Sequence, residues 1–151
     1  MNLDLKLLFS DEVESFQSLI TVFSEVFEMP YFKLPDTNHL QSLLAQPNFL
    51  VIVAKVDLQI VGGVTAYVLD QYYPDKPLVY IYDLGVVKSF QRKGIGKRIM
   101  QYLLTQCKEK GFYEVFVQAD KSDRGALMFY RSIKPLREDP VVHFSFNLET
   151  V

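Results

Sequence analysis

YIYDLGVV at residues 80–87 is followed, after three residues, by QRKGIGK at residues 91–97 and then by a helical pattern of apolar residues. Two glycines spaced by one residue let a backbone turn tightly and direct several N–H groups at one point. The N-terminus of the following helix adds its positive end to that point. Five cations surround it: Lys88, Arg92, Lys93, Lys97 and Arg98. This strand–turn–helix is predicted to bind an anion, and it suits a pyrophosphate best.

Two common phosphate-binding motifs are excluded at this turn. A Walker loop requires G-x-x-x-x-G-K-[ST], and a dinucleotide fingerprint requires G-x-G-x-x-G. Gly94-Ile95-Gly96 is followed by Lys97, Arg98 and Ile99, which matches neither pattern. An ordinary strand-to-helix turn with solvated lysines is the alternative that the residues themselves leave open.

Length and composition indicate a globular protein of one domain, expected to span residues 1–151. The chain is 49% apolar and 23% charged, which is typical of a folded chain rather than a disordered one. Its N-terminal MNLDLKLLFS is too polar for a signal peptide, and no apolar run reaches membrane-spanning length. For this reason we expect no membrane association. One cysteine, Cys107, permits no internal disulfide, so we expect a reducing cytoplasm.

The charge of −2 is unevenly distributed along the chain. Residues 88–110 carry seven Lys/Arg and one Glu, a local +6 that leaves −8 on the rest. This distribution suits an anionic cofactor at one end of a site and a cationic substrate at the other. Nucleic acid is disfavoured because no broad basic, aromatic-laced surface is visible elsewhere. Two histidines and one cysteine offer no cluster with ligand spacing, so no metal is expected.

Hydrophobic periodicity predicts a mixed α/β chain in the order β-α-α-β-β-β-α-β-α-β. The predicted strands cover residues 3–9, 49–55, 59–69, 78–87, 113–119 and 141–148. The predicted helices begin near Asp11 with Glu14, at Asp36, at Gly96 and after Asp123. Cys107 shares an apolar helical stripe with Ile95, Ile99 and Leu103, which predicts a core residue rather than a nucleophile.

The same segments resemble a known enzyme family. Gln91, Gly94 and Gly96 fit Q/R-x-x-G-x-G/A, the acetyl-CoA loop of the GNAT N-acetyltransferases. IVGGVTAYVL, YIYDLGV, VQAD…ALMFY and REDPVVHF look like segments of the gentamicin-type aminoglycoside 3-N-acetyltransferases. The resemblance covers nearly the whole chain. It implies the GNAT fold: a mixed, mostly antiparallel sheet, splayed at its central strands, with helices on both faces.

The resemblance also implies acetyl-CoA as co-substrate. The residues implied to bind it are Leu84, Gly85, Val86, Gln91, Arg92, Lys93, Gly94, Ile95, Gly96 and Lys97. In GNAT enzymes a bulge in the strand before the loop admits the pantetheine arm, and a backbone N–H there stabilises the developing oxyanion. That N–H is implied around Leu84 to Val86, where Gly85 would ease close backbone approach.

Asp83 is the carboxylate that the sequence singles out. It lies in a strand otherwise made of Tyr, Ile, Leu, Val and Gly, where an unpaired carboxylate is costly. We expect it to bind the ammonium of a polyamine substrate and to help deprotonate the reacting amine, directly or through water. The alternative is a structural Asp satisfied by backbone or by a basic side chain.

The candidate site is completed by three residues that follow the predicted 113–119 strand: Asp120, Asp123 and Tyr130. Tyr130 matches the aromatic of the A-x-x-F-Y helix, which in the family lies near the CoA sulfur and acts as general acid; a phenol with a pKa near ~10 is a reasonable proton donor to a thiolate. It is otherwise a core aromatic. Asp120 and Asp123 match the family's QAD segment as substrate-binding acids, and Asp123 is equally explained as a helix cap.

The leading hypothesis is therefore an acetyl-CoA-dependent N-acetyltransferase for an aminoglycoside or a similar polycationic small molecule, by direct attack in a ternary complex. The first alternative is a GNAT enzyme for a polyamine, amino acid or peptide N-terminus. The second is a non-catalytic acyl-CoA-binding module, which would need the loop but neither Asp83 nor Tyr130. A homodimer is left open.

Overall fold

Five strands lie in one sheet in the order in which they occur along the chain. The computed structural model describes residues 1–150. The strands are β1 (Leu3–Leu7), β2 (Phe49–Val56), β3 (Gln59–Leu69), β4 (Leu78–Val86) and β5 (Glu114–Phe116). β1 to β4 are antiparallel neighbours, and β5 runs parallel to β4. The predicted mixed, mostly antiparallel sheet is confirmed.

Four α-helices accompany the sheet: α1 (Val13–Val26), α2 (Thr37–Leu44), α3 (Ile95–Glu109) and α4 (Arg124–Ser132). The predicted start of α1 at Asp11 is wrong by a short margin. Glu12 precedes the helix and no side chain caps it, because the Glu12 carboxylate instead pairs with Lys6 and accepts the Phe9 N–H at 3.2 Å. In the part of the chain that the structure describes, no helix is long and apolar enough to cross a membrane.

Helices cover both faces of the sheet. Phe49, Val51 and Val53 of β2 pack against α1 and α2. Because side chains alternate along a strand, Ile52 and Ala54 point to the opposite face, where α3 contacts β2, β3 and β4. The buried stripe of α3 comprises Ile95, Ile99, Met100, Leu103 and Cys107. The prediction that Cys107 is a core residue is confirmed, since it is 3% exposed.

β4 is irregular at its centre. The register with β3 shifts between the pairs Thr65–Asp83 and Ala66–Ile81, so Tyr82 is an extra residue on β4. Thr65 is buried, and its Oγ1 accepts the N–H of Asp83 at 3.2 Å. β5 pairs only with Leu78–Tyr80. The remainder of β4, Ile81 to Val86, therefore has no strand beside it on that side within residues 1–150, and the predicted splay of the sheet is confirmed.

The chain forms two compact units, Met1–Gln118 and a second that begins at Ala119. The sheet and α1 to α3 belong to the first unit, and α4 belongs to the second. The expectation of a single domain over residues 1–151 stays a prediction.

The predicted strand at 141–148 is wrong. The described part of the second unit contains no strand. Alternating apolar residues such as Val142, Phe144 and Phe146 show only that one face could be buried, whereas a strand also requires a hydrogen-bonded neighbour. These three side chains are 76–80% exposed. β5 is likewise shorter than the predicted 113–119 strand.

Candidate functional site

The turn between β4 and α3 has the backbone geometry expected of an anion-binding loop. β4 ends at Val86, whose carbonyl accepts a hydrogen bond from the Gln91 side-chain amide at 2.8 Å. Gly94 precedes α3 with a left-handed φ of +80°, a conformation that glycine adopts without steric cost. No side chain caps α3, and the first N–H groups of a helix have no partner within it. Backbone donors are therefore directed outward from this turn.

Cations around the turn are exposed and unneutralised. Lys88, Arg92, Lys93, Lys97 and Arg98 all lie at the surface, and within residues 1–150 none of them forms an ion pair. The ammonium of Lys93 lies 5.1 Å from the centre of the Phe90 ring. Positive charge and helix N-terminus coincide, which favours an anion.

The structure places the residues implied to bind acetyl-CoA on one continuous segment. Leu84, Gly85 and Val86 end β4, Gln91 to Gly94 form the turn, and Ile95 to Lys97 begin α3. Their contributions differ. Ile95 is 1% exposed, so only its backbone can face a ligand. A Cβ on Gly85 would lie 3.3 Å from Phe23, so glycine here permits close packing against α1.

Asp83 is half-buried on β4, three residues before the strand ends. Loss of solvent raises the pKa of its carboxyl group. Within residues 1–150 the carboxylate has no hydrogen-bond or ion-pair partner, so the basic side chain that a structural role would supply is absent there. The arrangement leaves a carboxylate able to receive a cation, and its catalytic role stays a prediction.

The sequence did not single out the aromatic residues beside Asp83 as candidate site residues. The Tyr67 ring lies 5.7 Å from that of Tyr82 and 5.0 Å from that of Phe49. Burial raises the pKa of Tyr67, and the nearby Tyr82 and Asp83 raise it further. The spacing Tyr80-x-Tyr82 was the available signal, because residues two apart on a strand share a face. Thr65, which holds the Asp83 N–H, left no signal in the sequence.

The second unit holds the other three predicted site residues. Asp123 caps α4, since its Oδ1 accepts the Ala126 N–H at 3.0 Å, which confirms the helix-cap interpretation. Asp120 accepts hydrogen bonds from the N–H and hydroxyl of Ser122, which lower its pKa. Tyr130 is half-buried, with its ring 5.1 Å from that of Phe129. The substrate and general-acid roles of these residues stay predictions.

Metal-binding side chains are not grouped in the part of the chain that the structure describes. Among residues 1–150 no set of three or more His, Cys, Asp or Glu side chains could hold a metal ion.

Comparison with known proteins identifies the family. Residues 16–133 match the profile of the acetyltransferase (GNAT) family. The chain is similar to the solved structure of an aminoglycoside acetyltransferase, meta-AAC0020, from an uncultured soil metagenomic sample. In its complex with sisomicin the identity is 52% and the TM-score 0.95, over 97% of this chain and 96% of that one. In its complex with trehalose the identity is 53% and the TM-score 0.94, over the same shares.

A second soil metagenomic aminoglycoside acetyltransferase, HMB0005, is 31% identical with a TM-score of 0.90, over 98% of this chain and 99% of that one. No curated protein matches the sequence. The family profile covers well over half of the chain. The 52% identity to meta-AAC0020 extends over nearly the whole length of both proteins. The chain belongs to the GNAT family of acetyltransferases.

Proposed function

We propose that this acetyltransferase uses acetyl-CoA to acetylate an amine of an aminoglycoside or a similar polycationic small molecule. The observation that carries the proposal is the unpaired, half-buried carboxylate of Asp83. It lies three residues from the end of β4, about 10 Å along the strand from the anion-binding turn. A site for a cation and a site for an anion therefore follow each other on one segment.

The turn fits the pyrophosphate of acetyl-CoA. Its uncapped helix N-terminus offers backbone N–H groups, and its five unpaired cations match a group with more than one negative charge. Acetyl-CoA would supply an acetyl thioester, whose C–S bond breaks as the new C–N bond forms. We assign stabilisation of the developing oxyanion to a backbone N–H among Leu84 to Val86, where β4 has no strand beside it.

The acceptor amine must lose a proton before it can attack. We assign Asp83 to hold the ammonium form of the acceptor and to take up that proton, directly or through water. A carboxyl group with a raised pKa is a better base than an ordinary aspartate, because its conjugate acid is weaker. Tyr130 is assigned to donate its hydroxyl proton to the departing thiolate, and Asp120 and Asp123 to add negative charge for a polycation.

Support for the acceptor class comes from the relatives. The protein that is 52% identical was crystallised with sisomicin, a polycationic aminoglycoside. The quoted sequence segments resemble the 3-N-acetylating type, and we propose the amine at position 3 as the site of acetylation. A homodimer also stays a prediction.

A thiol-release assay tests the proposal. The purified protein is incubated with acetyl-CoA and a panel comprising sisomicin, spermidine, free amino acids and a peptide with a free N-terminus. We expect the highest kcat/KM with sisomicin, and mass spectrometry and NMR of the product should place one acetyl group on the 3-amine. Highest turnover with spermidine or a peptide would favour the first alternative. If the protein binds acetyl-CoA but releases no thiol with any of these amines, the result would favour a binding module.

A further inference from the structure

We propose that a row of aromatic side chains beside Asp83 is a stacking surface for the sugar rings of the acceptor, and that it selects ring-bearing amines over linear ones. The aromatic row consists of Tyr67 on β3, Tyr82 and Tyr80 on β4, and Phe116 on β5. This inference rests on the proposed function and names which polycationic amines the site prefers.

The rings of the aromatic row are in continuous contact. Tyr67 and Tyr82 meet edge to face with ring centres 5.7 Å apart, and Tyr82 and Tyr80 do so at 6.4 Å. Tyr80 stacks on Phe116 at 5.0 Å and 24°. The row is anchored in the core, because Tyr67 lies 5.0 Å from Phe49, which is 7% exposed. Aromatic pairs at these separations are mutually stabilising.

Tyr82 presents the most accessible ring of the row. It is 61% exposed although it contacts two other aromatic rings. An exposed tyrosine that is free to rotate loses conformational entropy when it binds a ligand. Tyr82 is instead fixed by its neighbours before a ligand arrives, which is the condition for an efficient stacking surface.

The bulge in β4 explains why this ring and the carboxylate lie together. Consecutive residues of a regular strand point to opposite faces, which would separate Tyr82 from Asp83. The extra residue in β4 interrupts that alternation at Tyr82. Both side chains are close enough to the Tyr67 hydroxyl to raise its pKa. The bulge therefore brings an aromatic face and a carboxylate to one side of the sheet.

This pairing suits an amino sugar. A sugar ring in its chair form has faces of C–H groups that pack on an aromatic ring, and its ammonium groups are attracted by the π-electrons. The carboxylate of Asp83 binds one ammonium while the row supports the ring that carries it. A linear polyamine offers ammonium groups but no ring face, so it would gain from Asp83 and little from the aromatic row.

The test compares one ring-bearing and one linear acceptor. Tyr82→Leu keeps apolar bulk but removes the aromatic face, and Tyr82→Phe keeps the face. Tyr113→Leu is the matched control, because Tyr113 is 57% exposed in the same unit and lies outside the row. KM and kcat are measured with sisomicin and with spermidine, and sisomicin binding is measured directly by calorimetry.

We expect Tyr82→Leu to raise KM and Kd for sisomicin by about 3- to 30-fold, the range of a lost cation–π contact. Its kcat and its KM for spermidine should stay within about two-fold of the wild type. Tyr82→Phe and Tyr113→Leu should match the wild type. Thermal unfolding confirms that each variant is folded, and Tyr82→Gln replaces Tyr82→Leu if that variant is not.

Two results would overturn the inference while leaving the proposed function in place. One is an unchanged KM for sisomicin in the folded Tyr82→Leu variant. The other is an equal rise for sisomicin and spermidine, which would mean that Tyr82 only supports local packing. Failure of the wild type to acetylate either amine is a different result, because it removes the proposed function itself.

Discussion

Ionised Asp83 lowers the stability of the folded state. Its pKa is raised by burial above the ordinary value of 3.8, so the folded protein binds more protons than the unfolded chain between 3.8 and the raised pKa. Stability therefore falls as pH rises through that window, and the loss persists at neutral pH. A residue that weakens the fold at working pH is better explained by function than by structure.

Asp83→Asn should separate these effects. The free energy of unfolding at pH 7 should increase, because the neutral amide avoids the desolvated charge, and the gain should disappear below pH 3.8. With sisomicin, kcat/KM should drop by about 10²-fold or more, while acetyl-CoA affinity is retained. Asp57→Asn, at the exposed turn between β2 and β3, is the control with the same change in charge. Full activity in Asp83→Asn would return Asp83 to a structural role.

The hydroxyl of Tyr130 can be tested by removing it alone. Tyr130→Phe keeps the ring that packs on Phe129 but removes the hydroxyl. If the hydroxyl protonates the leaving thiolate, kcat should fall by about 10²-fold with acetyl-CoA binding intact. A tyrosine that only packs would instead change stability by about 1 kcal/mol and leave kcat unaltered. The decisive measurement is single-turnover acetylation on a variant shown to be folded.

The turn before α3 can be tested against a matched glycine at the other end of the helix. Gly94 and Gly111 precede and follow α3 with φ of +80° and +75°, and an added Cβ meets no protein atom within 4 Å at either position. Gly94→Ala and Gly111→Ala should therefore lose similar stability, about 1–2 kcal/mol.

Only the space at Gly94 lies where the anion would bind. We expect Gly94→Ala to weaken acetyl-CoA binding by at least ~10-fold in calorimetry, because the methyl group holds the phosphates away from the N–H groups. Gly111→Ala should bind as the wild type does. Equal binding by both variants would show that the turn does not hold acetyl-CoA.

Elements differ in how well the sequence predicted them. β3 was predicted with its observed bounds, because Gln59–Leu69 combines β-branched residues with a short turn before it. The strand at 141–148 was not, since its partner is not encoded in its own residues. A bulge in β4 was implied by the family resemblance, but its position at Tyr82 was not predicted, because it depends on the register between β3 and β4. The proximity of Asp83 to the aromatic row depends on that bulge, so it was not predicted either.

For the whole molecule, the division of charge leads to a prediction about ionic strength. Residues 88–110 carry +6 and the rest of the chain −8, so acetyl-CoA and a cationic acceptor should each be attracted by an opposite charge. Raising the salt from 0.01 M to 0.15 M shortens the screening length from about 30 to 8 Å. We expect KM for both substrates to rise several-fold, whereas a monoamine acceptor should show a smaller rise. A salt-independent KM for sisomicin would contradict attraction by acidic groups.

The buried thiol of Cys107 affects how released CoA can be detected. Burial raises the pKa of this single thiol to about 11, so at pH 8 about one molecule in 10³ carries the thiolate that reacts with a disulfide reagent. The native protein should therefore give almost no background against released CoA. Any labelling of Cys107 should therefore be slow, and its rate should report transient opening of α3. Because α3 begins at the anion-binding turn, a bound ligand should lengthen the labelling half-time of Cys107. The labelling rate would then report how much of the protein has ligand bound at the turn.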